Sequence, residues 1–465
     1  MHKAGKGKEF ADTCKRLISA ERLRLTRVKG RSDLDARTEF ENDFDRVVFS
    51  SSFRRLRNKA QVFSLDPHDF VRTRLTHSIE VSTIGRSLGE GAAAGLVREY
   101  PEFNDLLPSR LTADVGTIVA TACLLHDIGN PPFGHSGEKA IGKWFAGNVD
   151  EGKKLKLSDK QEREDLMMFE GNAQGLRIAT RLQWTGDDFG MNLTAATLSA
   201  LIKYPCSSNE MRTDGSKSLK KFGYFKSDTI AFEKIRSFTG LVEHQRNPLT
   251  YLMEAADDIA YATGDIEDVL KKGFVDYATI RAMLEATKND SKRCVEKFLD
   301  KPYDEFSGLA PGERRQLAIQ RFCQMAIRLM MKSAIQAFLA NFSLIMDGSF
   351  NEDLVGAMSM SDLCQTLKAI MEQHVYSHVE IAYREQTARS VIGGLLEAII
   401  EELQDRPDGA LAKSTYRDAP IHTGESYGAS ENYRIAQRAT DYIAGMTDGY
   451  ALAQFQRISG MRAIF

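Results

Sequence analysis

Apolar residues recur along most of this chain at steps of three and four, the spacing of helices with one face turned inward. Residues 112–125 are apolar or small almost throughout and predict a buried helix with Asp114 enclosed near its start. Leu75, Ile79 and Ile84 open a long Ala- and Gly-containing helix that ends near Tyr100. Further helices are predicted over 194–202, 251–270, 314–344, 360–385, 390–403 and 433–450. Period-two alternation is nearly absent, so the expected fold class is all-α.

The pattern is interrupted in a few places. After residue 128, Gly129, Pro131, Pro132 and Gly134 predict an irregular loop, with a new helix starting near Ser136. Asp66, Pro67, His68 and Asp69 read as a turn. Residues 151–163 are charged, lack an apolar period and predict an exposed or mobile insertion. Residues 207–226 are polar, with Gly215 and Gly223, and predict a loop or flap outside the core. The first fifty residues are rich in Arg, Asp and Glu, and these charges read as a solvated face.

With 42% hydrophobic and 27% charged residues over 465 positions, the composition supports a large core in an ordinary soluble chain. A net charge of -2 argues against a protein that coats nucleic acid generally, and leaves room for a local basic groove. The six cysteines are scattered without C-x-x-C spacing, as expected of reduced packing cysteines in the cytoplasm. The basic start is not followed by an apolar segment, so no signal peptide is expected. No apolar run approaches the ~18 residues of a membrane span.

Candidate chemistry gathers at the Gly- and Pro-rich break. His126 and Asp127 stand together at the end of the apolar helix, and His135 and Glu138 follow at i and i+3. Imidazole beside carboxylate suits a divalent metal, and the second pair suits proton transfer next to it. His77 lies in the first turns of its helix, three residues after Arg74 on the same face; it reads as a structural histidine or as a further ligand. Steps of four drift only about 40° around a helix, so Asp257, Tyr261 and Asp265 share a stripe, while Asp258 points about 100° away. A solvated acidic face and a binding stripe both fit that spacing. Arg54, Arg55, Arg57 and Lys59 crowd near Gln61, as snorkelling surface cations or as the wall of an anion pocket. His374 and His378 lack an acidic base between them and read as structural or exposed.

Seven blocks occur in order: Arg54 to Phe63, Arg72 to Ser78, His126 to Glu138, Phe169 to Gln174, Lys203 to Pro205, Glu254 to Tyr261, and Asp441 to Asp448. Together they resemble the HD metal-dependent phosphohydrolases, and within them the bacterial deoxyguanosine triphosphate triphosphohydrolase (dNTP triphosphohydrolase) family. The resemblance spans nearly the whole chain. It implies an HD-domain helical core with additional C-terminal helices: a charged arm at 1–50, the phosphohydrolase core at 51–275 and a C-terminal helical region at 276–465. It further implies that His77, His126, Asp127 and Asp257 hold one divalent ion, manganese, magnesium or another metal of that kind. His135 and Glu138 would be the catalytic pair. Gln61, Tyr261 and Asp265 would read the sugar; Arg74, Lys203 and Tyr204 would hold phosphates; Asn172 would line the pocket.

The implied reaction is water attack on the α-phosphorus of a deoxynucleoside triphosphate, dGTP foremost, releasing deoxynucleoside and inorganic triphosphate. Implied partners are a dNTP effector, single-stranded DNA and further copies of the chain, a hexamer foremost, with no membrane. Two other readings remain: an HD phosphohydrolase of nucleoside monophosphates or signalling nucleotides, and a nucleotide-regulated single-strand DNA binder. The chain departs from the family at Asn247, before Pro248, where relatives often show His, and at Gly449, where relatives often carry Arg.

Overall fold

A computed structural model describes residues 2–24, 34–65, 68–150, 152–183, 189–376, 378–418 and 428–461. The charged run at 25–33 and the expected turn at Asp66 and Pro67 lie outside the described residues. Among the described residues the regular structure is helical. The β contacts are isolated bridges joining Arg22 to Thr194, Ala60 to Thr73 and Val149 to Leu155. The fold is all-α. No described helix is long and apolar enough to cross a membrane.

Five helices frame the site: α1 (Arg74–Glu99), α2 (Leu111–Leu125), α3 (His135–Asn148), α4 (Gly171–Arg177) and α5 (Pro248–Lys272). Thr73 caps α1, its hydroxyl accepting the Thr76 N–H while the Thr76 hydroxyl accepts the Thr73 N–H. Asn247 caps α5 by accepting the Leu249 N–H, Pro248 sits in the first turn, and Gly273 closes it in the left-handed conformation. α1 packs on both α2 and α5. Because the Thr73 cap orients the turn that carries His77, Thr73→Ala is expected to cost about 1 kcal/mol of stability. Urea unfolding would read this as a lower midpoint with an unchanged slope.

Hydrophobic burial forms two clusters. α1, α2 and α5 build the first with later helices, through Val81, Ile118, Leu125 and Ile259 against Phe322 and Leu367. α3 belongs to the second, where Phe133, Ile141 and Phe145 meet Ile392, Leu395 and Ile443. The loop from Asp127 to Gly134 therefore runs from one core to the other.

Several expectations are overturned locally. The stretch at 151–163 is exposed at Gly152, Lys153, Lys154, Lys156, Ser158 and Lys160, but it is anchored: Leu155 and Leu157 are buried, and helix Lys160–Met167 begins within it. The loop at 207–226 is irregular, yet Leu219, Phe222, Tyr224 and Phe225 are buried. The final predicted helix is two, Glu431–Ala444 and Asp448–Ile458, because Thr447 caps a new start. The predicted helices at 360–385 and 390–403 regroup as Ser361–His374 and Val379–Asp405. His378 is exposed, its ring 4.8 Å from that of Phe274.

Candidate active site

α1, α5 and the end of α2 bring two imidazoles and a carboxylate to one point. His77 Nε2 lies 3.0 Å and His126 Nε2 3.4 Å from Asp257 Oδ1. One ligand atom from each residue lies within 4.8 Å of the other two. His126 Nδ1 donates to the Cys123 carbonyl at 2.6 Å, which leaves Nε2 facing the carboxylates. That Nε2 is buried without a hydrogen-bond partner. Asp127 Oδ2 comes within 3.6 Å of it but is bonded by Arg74 Nη1 at 2.6 Å, and Asn130 donates to Oδ1. Three of the four expected ligands thus converge, and the fourth abuts them with its charge balanced by Arg74.

The electrostatics describe a place for a cation. Burial opposes charge on His126, but Asp127 and Asp257 outweigh it and push its pKa up to about 9. Burial likewise works against the Asp127 carboxylate, and Arg74 holds it down at about 2. Asp257 stays well below the usual carboxylate range because His126 and His77 outweigh its burial. With its pKa at about 9, His126 Nε2 holds a proton in the metal-free protein, and a divalent ion between the same two carboxylates would take the place of that proton on the oriented ring.

The second pair stands across the loop. His135 begins α3 with its side chain 78% exposed, and its Nδ1 meets Glu138 Oε2 at 2.7 Å. Glu138 is buried, and its Oε1 accepts the Gly171 N–H at the start of α4 at 2.9 Å. Burial would raise the Glu138 pKa; His135, Lys221 and the Gly171 amide outweigh it and hold the carboxyl below its ordinary value. An ionised Glu138 keeps the proton on Nδ1 and leaves Nε2 open for transfer. His135 and Glu138 line a cavity of about 730 Å³ that also takes in Lys139, Lys143, Lys220 and Lys221. The backbone allows this geometry only with glycine at 129, where a Cβ would lie 2.1 Å from the Gly171 carbonyl.

The α5 stripe separates adjacent carboxylates as the helix spacing predicts. Asp257 faces the histidines, whereas Asp258 pairs with Lys368 at 2.5 Å. One turn on, the Tyr261 hydroxyl meets that of Tyr376. Burial pushes the Asp265 carboxyl well above the usual range, and its Oδ2 has no hydrogen-bond partner among the described residues. Gln61 Oε1 is likewise buried and without a hydrogen-bond partner. Lys203 pairs with Glu254 at 3.2 Å and lies 5.9 Å from the Tyr204 ring centroid. Asn172 turns to Glu170, donating at 2.6 Å.

Other residues at the site carried no usable signal in the sequence. Lys220 and Lys221 fall in the stretch that reads as a polar loop, and Lys368 and Tyr376 in helical sequence of no evident chemistry. Lys59 is neither a surface cation nor the wall of an anion pocket. It is buried, and its Nζ donates to the carbonyls of Asn130 at 2.6 Å and Ala444 at 2.7 Å. Arg54 is exposed and donates to the Phe49 carbonyl at 2.6 Å.

Comparison with known proteins places the chain among HD-domain relatives. The HD domain model matches residues 74–179, which include His77, His126, Asp127, His135 and Glu138, and a phosphohydrolase-associated domain model matches residues 355–457. A deoxyguanosinetriphosphate triphosphohydrolase-like protein of Listeria monocytogenes is 37% identical, over 96% of this chain and 99% of its own length. A protein of the same description from Pseudomonas aeruginosa is 37% identical over 94% and 97%. A deoxyguanosinetriphosphate triphosphohydrolase of Yersinia pestis is 30% identical over 90% and 93%.

Proposed function

The chain belongs to the deoxyguanosinetriphosphate triphosphohydrolase-like family of HD phosphohydrolases, and on that footing we propose that it hydrolyses deoxynucleoside triphosphates, dGTP among them, to deoxynucleoside and inorganic triphosphate. The observation that carries this reading is the pairing of two groups across one loop. The His77, His126 and Asp257 cluster lies at one end, and His135, oriented by Glu138 beside a lysine-lined cavity, at the other.

His77, His126, Asp127 and Asp257 hold the divalent ion in this proposal. Bound there, manganese or magnesium would draw charge from the α-phosphate and acidify water. Lys203, Lys221, Tyr204 and Arg74 offer donors to the phosphate oxygens. Water oxygen bonds to the α-phosphorus as the bond to the 5′-oxygen breaks, so the three phosphates leave together. His135 Nε2 carries the proton, either from the water or to the departing 5′-oxygen. Tyr261 packs on the sugar with Gln61 beside it, and Asp265, whose carboxyl burial pushes upward and whose Oδ2 is unpartnered among the described residues, hydrogen-bonds the 3′-hydroxyl.

The products test this directly. With manganese or magnesium and each dNTP, ion chromatography is expected to show inorganic triphosphate in a 1:1 ratio with deoxynucleoside. Pyrophosphate or orthophosphate as the primary product would overturn the reading. Assay of the four dNTPs singly and mixed reads base preference, and a mixed rate above the sum of the single rates reveals activation by a second nucleotide.

A further inference from the structure

The catalytic pair and the metal cluster stand on different hydrophobic cores, so something must set the distance between them. The connecting loop does not do this alone. Phe133 takes a left-handed conformation (φ 65°), unusual for a residue with a side chain, and Gly134 follows at φ 56°. Such a backbone persists only where its surroundings hold it.

Two buried side chains do the holding. Asp448 Oδ1 accepts the Phe133 N–H at 3.0 Å, and its Oδ2 accepts the Ala60 N–H at 3.2 Å. Lys59, the preceding residue, donates to the Asn130 and Ala444 carbonyls. The Lys59 carbonyl accepts the Arg74 N–H at 2.9 Å at the start of α1, beside the Ala60 to Thr73 bridge. One clamp therefore ties the helix that carries His77, the loop before His135, and the C-terminal helices. Asp448 is 2% exposed and is neither in contact with the metal cluster nor part of the cavity at His135.

We propose that Asp448, with Lys59, is a positioning residue: it fixes the Phe133 to His135 backbone so that the His135 ring stands in register with the metal cluster. The proposal rests on the reading of His135 as the proton-transfer group. It also gives the C-terminal region a part in the chemistry: residue 448 closes the scaffold of a site whose proposed metal, catalytic and substrate groups lie between residues 61 and 265. Small displacements of a catalytic group are costly, about 100-fold for a shift of ~1 Å.

The test is a double-mutant cycle on the full-length enzyme with dGTP. Asp448→Ala is expected to lower kcat about 10- to 100-fold, with KM and Mn²⁺ affinity, read by calorimetry, close to wild type. In the Asp448→Ala, His135→Ala double variant the loss is expected to match that of His135→Ala alone, because a group already removed cannot be misplaced. Losses that multiply, or an Mn²⁺ affinity that falls together with kcat, would overturn the proposal. Should Asp448→Ala not fold, Asp448→Asn carries the same cycle, since it keeps the shape but its amide nitrogen cannot accept, so one of the two hydrogen bonds is lost. The underlying reading fails differently. A wild-type enzyme that releases no triphosphate from any dNTP sinks the substrate assignment, and the clamp is then read from a crystal structure of the variant, where an unmoved Phe133 to His135 backbone sinks it.

Discussion

Asp257→Ala is expected to abolish high-affinity Mn²⁺ binding and to lower kcat by at least about 1000-fold, whereas Asp258→Ala leaves metal binding intact. The bound ion contributes several kcal/mol of charge stabilisation, and each 1.36 kcal/mol is about tenfold in rate. The contrast follows from the turn of α5. Asp257 Oδ1 is the oxygen that both His77 and His126 approach, so its loss leaves two imidazoles and Asp127, whose carboxylate is already bonded by Arg74. Asp258, next in the chain, points to Lys368 through a pair whose side chains are both 30% exposed. Loss of such a partly solvated pair costs about 1 kcal/mol or less. Calorimetry with Mn²⁺ alone separates the outcomes without relying on turnover. A site that survives Asp257→Ala but is lost in Asp258→Ala would reverse the assignment of the two carboxylates.

What the sequence made legible has a common physical basis: it is local. The buried helix at 112–125, the break after residue 128 and the separation of Asp257 from Asp258 all follow from helix period and from backbone rules for Gly and Pro. The observed α2, α3 and α5 follow those rules closely. What stayed hidden depends on closure across the chain. Asp448 is 315 residues from Phe133, and Lys59 is 385 residues from Ala444, separations at which no spacing argument operates. Leu155 and Leu157 are two apolar residues in a charged run, too few to set a period, and are buried all the same. Phe222 and Phe225 are buried on irregular backbone, where apolar patterning has no fixed period to show. Lys221 was hidden in that same segment, although it pairs with Glu170 at 2.6 Å and borders the His135 cavity. Lys59 and Asp448 stood inside blocks that the resemblance marked, but their positioning contacts were hidden, because a buried Lys or Asp carries no signature in sequence of the partner it meets.

His135→Ala is expected to lower kcat about 10²- to 10⁴-fold, the range for removing a positioned proton-transfer group, while leaving Mn²⁺ affinity unchanged. The ring is largely exposed, but it bonds the buried Glu138, so the substitution should cost about 1–3 kcal/mol of stability. An unchanged Mn²⁺ affinity beside the kinetic loss separates chemistry from unfolding of the site. Glu138→Gln supplies the second half of the argument. The carboxyl is held below its ordinary pKa and is therefore ionised at neutral pH, where it can only accept from His135 Nδ1. A glutamine can present its amide N–H groups instead, which favours the tautomer with the proton on Nε2 and spoils that nitrogen as a base. The sign with pH follows from the depressed carboxyl: its orienting role is present through the neutral range and is lost only as pH falls through the lowered Glu138 pKa. Glu138→Gln should therefore lower kcat across the neutral range, with KM for dGTP little changed. A His135→Ala enzyme with wild-type turnover would remove the pair from the mechanism, and with it the reason for the loop to hold two cores in register.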